Sequence, residues 1–418
     1  MRRRVIILLL AGLAAPAVAQ LGLPQVGQTV GQTVGGVAGA IDQTVDRTVD
    51  RVGNLDVAAP VRSVRELARD RLSRLDAFLK AHPAEIERDD TGVPARRGVV
   101  LLVDADPGTL DAVRKLGFEA RPVQGLEALG LSSAELGVPV GMDLSAALKR
   151  LRAALPGKTF SSDPIHFPSG EAGGRAAAGS GAGANIRTSI GMIDGGVADA
   201  VPVSARRAFA KGGPSASDHG TAVASLMRKA GATQIAAADV YGQDPAGGSA
   251  LAIAQALSWM TGDKIPVVSI SLVGPPNPLL ERAITAAGSR GMTIVAAVGN
   301  DGPAAPPAYP ASYPNVIAVT GVDGRNRVLI EAGKALHLDY AAPGADMTAL
   351  NARGRDWGVR GTSFAAPLVA ARAAAAIDTG KDRNGLRATL DAEARDLGKK
   401  GPDATYGRGL LCGNCARR

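Results

Sequence analysis

Three short segments carry side chains whose types could do chemistry together. The first, Ile190-Gly191-Met192-Ile193-Asp194-Gly195-Gly196, puts an acid just past an apolar strand, where open α/β sheets place their sites. Alone, Asp194 reads more readily as a turn residue bonded to its own backbone. The second, Asp218-His219-Gly220-Thr221-Ala222-Val223-Ala224-Ser225, sets a His at the start of a helix of small residues that can pack very close to its neighbours. A single His there is more often structural. The third, Gly361-Thr362-Ser363-Phe364-Ala365-Ala366-Pro367, begins an Ala-rich helix at Ser363. A Ser in that place is ordinarily an N-cap, although unpaired N–H groups at a helix start also suit a serine nucleophile and a developing oxyanion. Pro367 is tolerated in the first turn, where its missing N–H has no intrahelical partner.

Positioning an acid, an imidazole and a hydroxyl from such distant segments requires a rigid scaffold. Short apolar runs at 188–193, 235–240, 267–272, 293–298 and 316–320 read as buried strands. They alternate with helices at 219–229, 249–260, 278–289 and 364–377. This alternation predicts a mainly parallel sheet with helices on both faces, an α/β class.

The order Asp, His, Ser and the surroundings of each residue resemble those of the subtilisin-like serine proteases (subtilases, peptidase family S8), over roughly residues 185–415. Ala296-Ala297-Val298-Gly299-Asn300-Asp301-Gly302 is similar to the family's oxyanion segment, and Ser269-Ile270-Ser271-Leu272-Val273-Gly274 to its substrate strand. Tyr309-Pro310-Ala311, Ala341-Ala342-Pro343-Gly344 and Gly407-Arg408-Gly409-Leu410 are further landmarks. The order differs from the Ser-Asp-His of α/β-hydrolases, and no Gly-x-Ser-x-Gly occurs.

The resemblance implies a secreted or periplasmic serine endopeptidase in which Ser363 attacks the peptide carbonyl, His219 relays its proton, and Asp194 fixes the His tautomer. Asn300 would hold the oxyanion, and Ser271, Leu272, Val273, Gly274 and Gly299 would bind substrate. Val273 stands where a Gly is common, which narrows the primary pocket and implies small or medium apolar residues before the cut. Ala222 and Ser225 depart from the usual His and Gly, a change expected to alter packing and not the proton relay. No cofactor is implied. A structural calcium ion is doubtful, since the interval from Asp194 to His219 is short and holds no dense carboxylate loop. Cys412 and Cys415 fit neither a zinc site nor a redox motif at a helix start, and are expected to form a small local disulfide. The other function class is a catalytically silent subtilase-like protein that binds peptides or assembles through its N-terminal repeat.

Upstream, Arg2, Arg3 and Arg4 precede an apolar run over 5–15 and then Ala17-Val18-Ala19, the form of a signal peptide at 1–19. Residues 20–58 repeat Gln-Thr-Val at 28–30, 32–34 and 43–45, with Arg47-Thr48-Val49 as a variant; they read as disordered or as an amphipathic helix. A helix is expected at 61–81 within a helical segment 59–95. The sequence is silent on whether this region touches a membrane. Residues 96–165 alternate strands (98–103, 118–122, 137–141, 158–161) with helices (107–116, 144–155), a small ferredoxin-like α/β unit. By the resemblance it is a pro-domain, a partner that the chain carries itself, and self-cleavage is expected between about Phe167 and Arg187. Residues 166–185 are rich in Gly, Ala and Ser and read as a flexible linker, leaving 186–418 as the catalytic domain. Gly157-Lys158-Thr159 is no phosphate loop, because Arg152 stands where its first Gly should be.

Composition agrees with this division. Gly contributes 53 of 418 residues and aromatics only 3%, so the core is built from Ala, Val, Leu and Ile. The glycines lack a period of three, which excludes collagen. Two Cys exclude a disulfide scaffold, and four scattered His argue against a His-based zinc site. The net charge of +8 falls to +5 without Arg2, Arg3 and Arg4, and has no aromatic-basic interleaving that would point to nucleic acid.

Overall fold

The computed structural model describes residues 58–172, 185–413 and 415; the signal-like segment, the Gln-Thr-Val repeat and most of the Gly/Ala/Ser stretch lie outside them. No helix among the described residues is long and apolar enough to cross a membrane.

The described residues begin with helix α1 (Ala58–Ala81) and short strand β1 (Ile86–Arg88). Then come β2 (Pro94–Val103), α2 (Pro107–Lys115), β3 (Glu119–Pro122), β4 (Ser133–Gly137), α3 (Leu144–Ala154) and β5 (Thr159–Pro164). Every pairing in this sheet is antiparallel; β4 lies on one side of β2 with β3 beyond it, and β5 lies on the other. That is the ferredoxin-like arrangement. Asp106 and Asp143 cap α2 and α3 by accepting from Thr109 N and Ala146 N. The strand expected at 137–141 lies instead at 133–137. Val138 is apolar, but Val140 is fully exposed, and it is Ala134 and Leu136 that alternate into the core. β2 also starts four residues earlier than expected.

The run Val99-Val100-Leu101-Leu102-Val103 has no polar face, and the packing explains it. Val100 and Leu102 face α2 and α3, whereas Leu101 and Val103 join the cluster built by two helices of the second layer system. A strand buried on both sides reads as a continuous apolar run.

The remainder is a seven-stranded parallel sheet in the order β15-β14-β13-β11-β8-β10-β9. Its strands are β8 (Ile190–Asp194), β9 (Ala205–Ala208), β10 (Ile235–Asp239), β11 (Val267–Ile270), β13 (Thr293–Ala297), β14 (Val316–Val322) and β15 (Tyr340–Pro343). Helices α4 (Asp218–Lys229), α7 (Ala366–Asp378) and α8 (Arg383–Glu393) cover one face. Helices α5 (Ala250–Gly262) and α6 (Pro278–Ser289) cover the other. The chain leaves β8 toward β10 on one side and β11 on the other, so the C-terminal end of β8 is a topological switch point, where a crevice opens. Hairpin β16 (Ala345–Leu350) and β17 (Asp356–Arg360) precedes α7. β9, β15, the hairpin and α8 were not among the expected elements.

The antiparallel sheet is tied to the helix starts of α5 and α6. Asp163 is fully buried, accepts from Leu251 N at 3.0 Å and pairs with Arg96 Nη1 at 3.0 Å. Burial raises the Asp163 carboxyl above the usual carboxylate range against the pull of Arg96. Asn277 caps α6 through Oδ1 and donates from Nδ2 to Ser162 O at 3.0 Å.

Candidate active site

Asp194 ends β8 at the switch point and is fully buried. Its Oδ1 accepts from Gly195 N at 2.7 Å, and both its oxygens face His219 Nδ1, at 2.8 and 3.0 Å. A carboxylate there accepts, so Nδ1 carries the hydrogen and Nε2 presents a lone pair. His219 lies in the first turn of α4, whose N-cap Ser217 accepts from Gly220 N at 2.9 Å. The small residues around it are a steric need. A Cβ on Gly220 would come within 2.2 Å of Gly195 O, so only glycine lets α4 approach the turn after β8. Ser225 Oγ donates to Ala222 O and accepts from Leu350 N, which ties α4 to the hairpin.

Ser363 sits in a 3₁₀ turn, Thr362–Phe364, ahead of α7. It caps nothing. Ser271 Oγ donates to Ser363 O at 2.9 Å, and Ser363 Oγ donates to Ser271 O at 3.1 Å. Asn300 Oδ1 accepts from Thr362 N at 3.0 Å, which turns Nδ2 the other way. Thr362 Oγ1 accepts from Gly299 N at 3.0 Å, and Gly299 itself adopts φ +89°. Gly361, at φ +143°, has no side chain where one would lie 2.5 Å from Asn300 Nδ2 and 2.9 Å from Ser169 O. The amide and that carbonyl oxygen therefore share one small space.

Ser169 belongs to the stretch read from sequence as an exposed linker, and there the structure differs. Residues 165–172 run extended through the cleft. Ile165 N donates to Pro94 O, and His166 N donates to Gly248 O at 2.8 Å. β6 (Phe167–Pro168) pairs antiparallel with β12 (Leu272–Val273), and Ser169 N donates to Ser271 O at 3.2 Å. The Ser169 carbonyl accepts from Ser363 N at 2.9 Å, and its Oγ lies 2.7 Å from Ser363 Oγ. β7 (Glu171–Ala172) then pairs with β17. Composition misled because the cleft itself demands a small residue at 170, and small residues also make linkers. Residues 173–184 lie outside the described residues.

Of the substrate residues expected from sequence, Ser271, Leu272 and Val273 pair with this strand, Gly274 packs against the His166 ring, and Gly299 lies against the Val273 side chain. His219 Nε2 is buried and has no hydrogen-bond partner among the described residues. Cys412 and Cys415 are joined by a disulfide.

Sequence reasoning missed four contributors. Phe364 is fully buried, its ring 5.4 Å from that of His219. His166 is fully buried, neither ring nitrogen has a hydrogen-bond partner among the described residues, and burial, only partly offset by the backbone of Pro164 and Gly248, pushes its pKa down to about 4. Tyr241 donates to His166 O at 2.6 Å, and burial pushes its phenol well up. Helix α1 reaches the turn after Asn300: Arg71 and Arg74 pair with Asp301 at 3.1 and 2.7 Å, and Leu67 lies against Gly302. Phe78 of α1 meets Phe167 edge to face, with centroids 5.1 Å apart. Helical spacing puts Leu67 and Phe78 on the apolar stripe of α1 but does not tell what that stripe meets.

A doubly covered parallel sheet with a carboxylate-bonded imidazole at its switch point and a serine at a helix start defines a class, the α/β serine hydrolases. The model of the subtilase family matches residues 204–409. Subtilisin Savinase of Lederbergia lenta is 32% identical over 246 residues, covering 55% of this chain and 90% of that protein. The alkaline protease of Shouchella clausii is also 32% identical over 246 residues, but this chain spans 64% of its length. Fervidolysin of Fervidobacterium pennivorans, described as a keratinolytic enzyme related to subtilisin, superposes with a TM-score of 0.63 at 18% identity. That superposition covers 77% of this chain and 61% of fervidolysin. The chain belongs to the subtilase family of serine-type endopeptidases.

Proposed function

We propose that this chain is an exported endopeptidase that acts through Asp194, His219 and Ser363 and matures by cutting its own Ser169–Gly170 bond. The observation that carries this reading is the Ser169 carbonyl, which accepts from Ser363 N at 2.9 Å while its strand pairs with β12 as a substrate would.

For the reaction, Ser363 Oγ turns from Ser169 Oγ and Ser271 O toward His219 Nε2, gives up its proton there and bonds to the Ser169 carbonyl carbon. The oxyanion gathers charge beside two donors, Ser363 N–H and Asn300 Nδ2. Asp194 holds the imidazole in the tautomer that accepts and then stabilises the imidazolium. The proton passes to the Gly170 nitrogen, the C–N bond breaks and Gly170 leaves as an amine. Water, deprotonated by His219, then splits the Ser169 ester and regenerates Ser363 Oγ–H. Free peptides and proteins are cut in the same way, and the 96–165 unit, docked on α5 and α6, serves as the pro-domain. Val273 packed on Gly299 and a serine before the bond both favour small residues at that position.

Export is supported by the arginine, apolar and Ala17-Val18-Ala19 pattern. A relative 29% identical over 167 residues is named a minor extracellular protease of Bacillus subtilis, and this chain spans 26% of it. The test is mass spectrometry of the purified protein beside Ser363→Ala. Gly170 as the new N-terminus in the wild type, and an intact chain in the variant, is expected. Any other N-terminus overturns the bond assignment, and processing that persists in the variant overturns self-cleavage.

A further inference from the structure

We infer that the site selects glycine immediately after the cleaved bond, because Phe364 and His219 occupy the space that a side chain there would take. The inference rests on the catalytic reading above and adds a specificity to it. Gly170 follows the Ser169 carbonyl. A Cβ on it would lie 2.7 and 3.1 Å from Phe364 Cε2 and Cζ and 3.2 Å from His219 Nε2. Real Cβ atoms do not approach ring carbons to 2.7 Å, so the ring or the strand must shift.

Neither has room. The Phe364 ring is fully buried in the cluster formed by α4, α7 and the parallel sheet, and it is stacked at a tilt on His219. Moving it would displace the imidazole whose Nδ1 is bonded to Asp194. On the other side of the strand, Gly170 Cα lies 2.7 Å from where a Cβ of Gly361 would stand, so the backbone has already closed on the turn before Ser363. The strand is further held on both sides of the bond, by β12 before it and β17 after it. Glycine alone leaves the carbonyl, the imidazole and the ring undisturbed together.

The test uses the processed enzyme and quenched fluorescent peptides that carry residues 164–169, then Gly, Ala or Leu, then Glu-Ala. Forcing one methyl into a packed space corresponds to roughly a 5- to 150-fold loss. kcat/KM for Gly is therefore expected to exceed that for Ala by about tenfold or more, with Leu lower still. Phe364→Leu removes the ring edge and should bring Gly and Ala within about threefold; this variant keeps the site apolar where alanine would leave a large cavity. In the full chain, Gly170→Ala should slow self-cleavage by the same factor found for the peptides. Equal turnover of Gly and Ala peptides by the wild type, or a ratio unmoved in Phe364→Leu, overturns the inference. Labelling of Ser363 by a fluorophosphonate, which places no residue after the bond, keeps the two readings apart. Labelling with equal turnover refutes only the glycine selection, whereas absence of both labelling and cleavage refutes the catalytic reading and this inference with it.

Discussion

Acid should loosen the strand that fills the cleft, and His166 supplies the magnitude. The imidazole is fully buried against Gly274 with neither nitrogen bonded among the described residues, the His166 backbone carbonyl receives Tyr241 Oη–H, and burial lowers the ring pKa from the ordinary 6.5 to about 4. A depressed imidazole pKa means that the docked strand disfavours the proton. Above pH 6.5 both docked and released forms are neutral and nothing is lost. As pH falls from 6.5 toward 4, the released form binds a proton that the docked form refuses. Docking then weakens by about 1.4 kcal/mol per pH unit, or roughly 2–3 kcal/mol at pH 4.5. Hydrogen exchange of His166 N–H and Ser169 N–H, which donate to Gly248 O and Ser271 O, reads this directly. In a Ser363→Ala background, which prevents cleavage, protection corrected for the intrinsic rate should drop by about 40-fold between pH 6.5 and 4.5 relative to His166→Phe. The phenylalanine variant cancels the carboxylates that titrate in the same range. A relative drop under threefold, or greater protection in acid, would refute the reasoning.

Three other outcomes follow from the geometry. Gly361→Ala places a methyl 2.5 Å from Asn300 Nδ2 at a φ of +143°, so peptide hydrolysis should fall by about 100-fold or more with the fold intact by circular dichroism; activity within fivefold of wild type would contradict it. Asp301→Ala removes the partner of Arg71 and Arg74, a half-exposed pair worth about 1 kcal/mol. Exchange over residues 64–81 should rise by about fivefold at low salt, and the difference should fade above roughly 0.5 M; a salt-independent effect would assign it to packing instead. Ser169→Ala frees Ser363 Oγ from the 2.7 Å contact with Ser169 Oγ, so self-cleavage followed by gel should quicken about fivefold, and slower cleavage would show that the contact helps the reaction.

The legible parts of the molecule are those where one local rule decides. Apolar runs such as Val267-Val268 and Ile294-Val295 can only be interior strands of a covered sheet, and they are. Asp194, His219, Asn300 and Ser363 stand in segments distinctive enough to be grouped before any distance is known. Strands whose partners decide their burial were illegible: β9 carries Arg206 and Arg207, and β15 ends in proline. Ser169 and Gly170 read as linker because small size is all that the sequence records of them. Their placement follows from β12 and β17 gripping the strand on either side of the bond.

By itself the sequence determined the α/β class, the chemistry available to the chain and the segments that carry it, because residue type and short-range spacing set both strand burial and the functional groups on offer. Only the tertiary structure decided that the chain's own residues 165–172 occupy the cleft, that Phe364 and His219 leave no room for a side chain at Gly170, and that α1 bears on Asp301 and Gly302. Those are encounters between surfaces far apart along the chain, and their fit depends on distances of a few tenths of an ångström that no local pattern encodes.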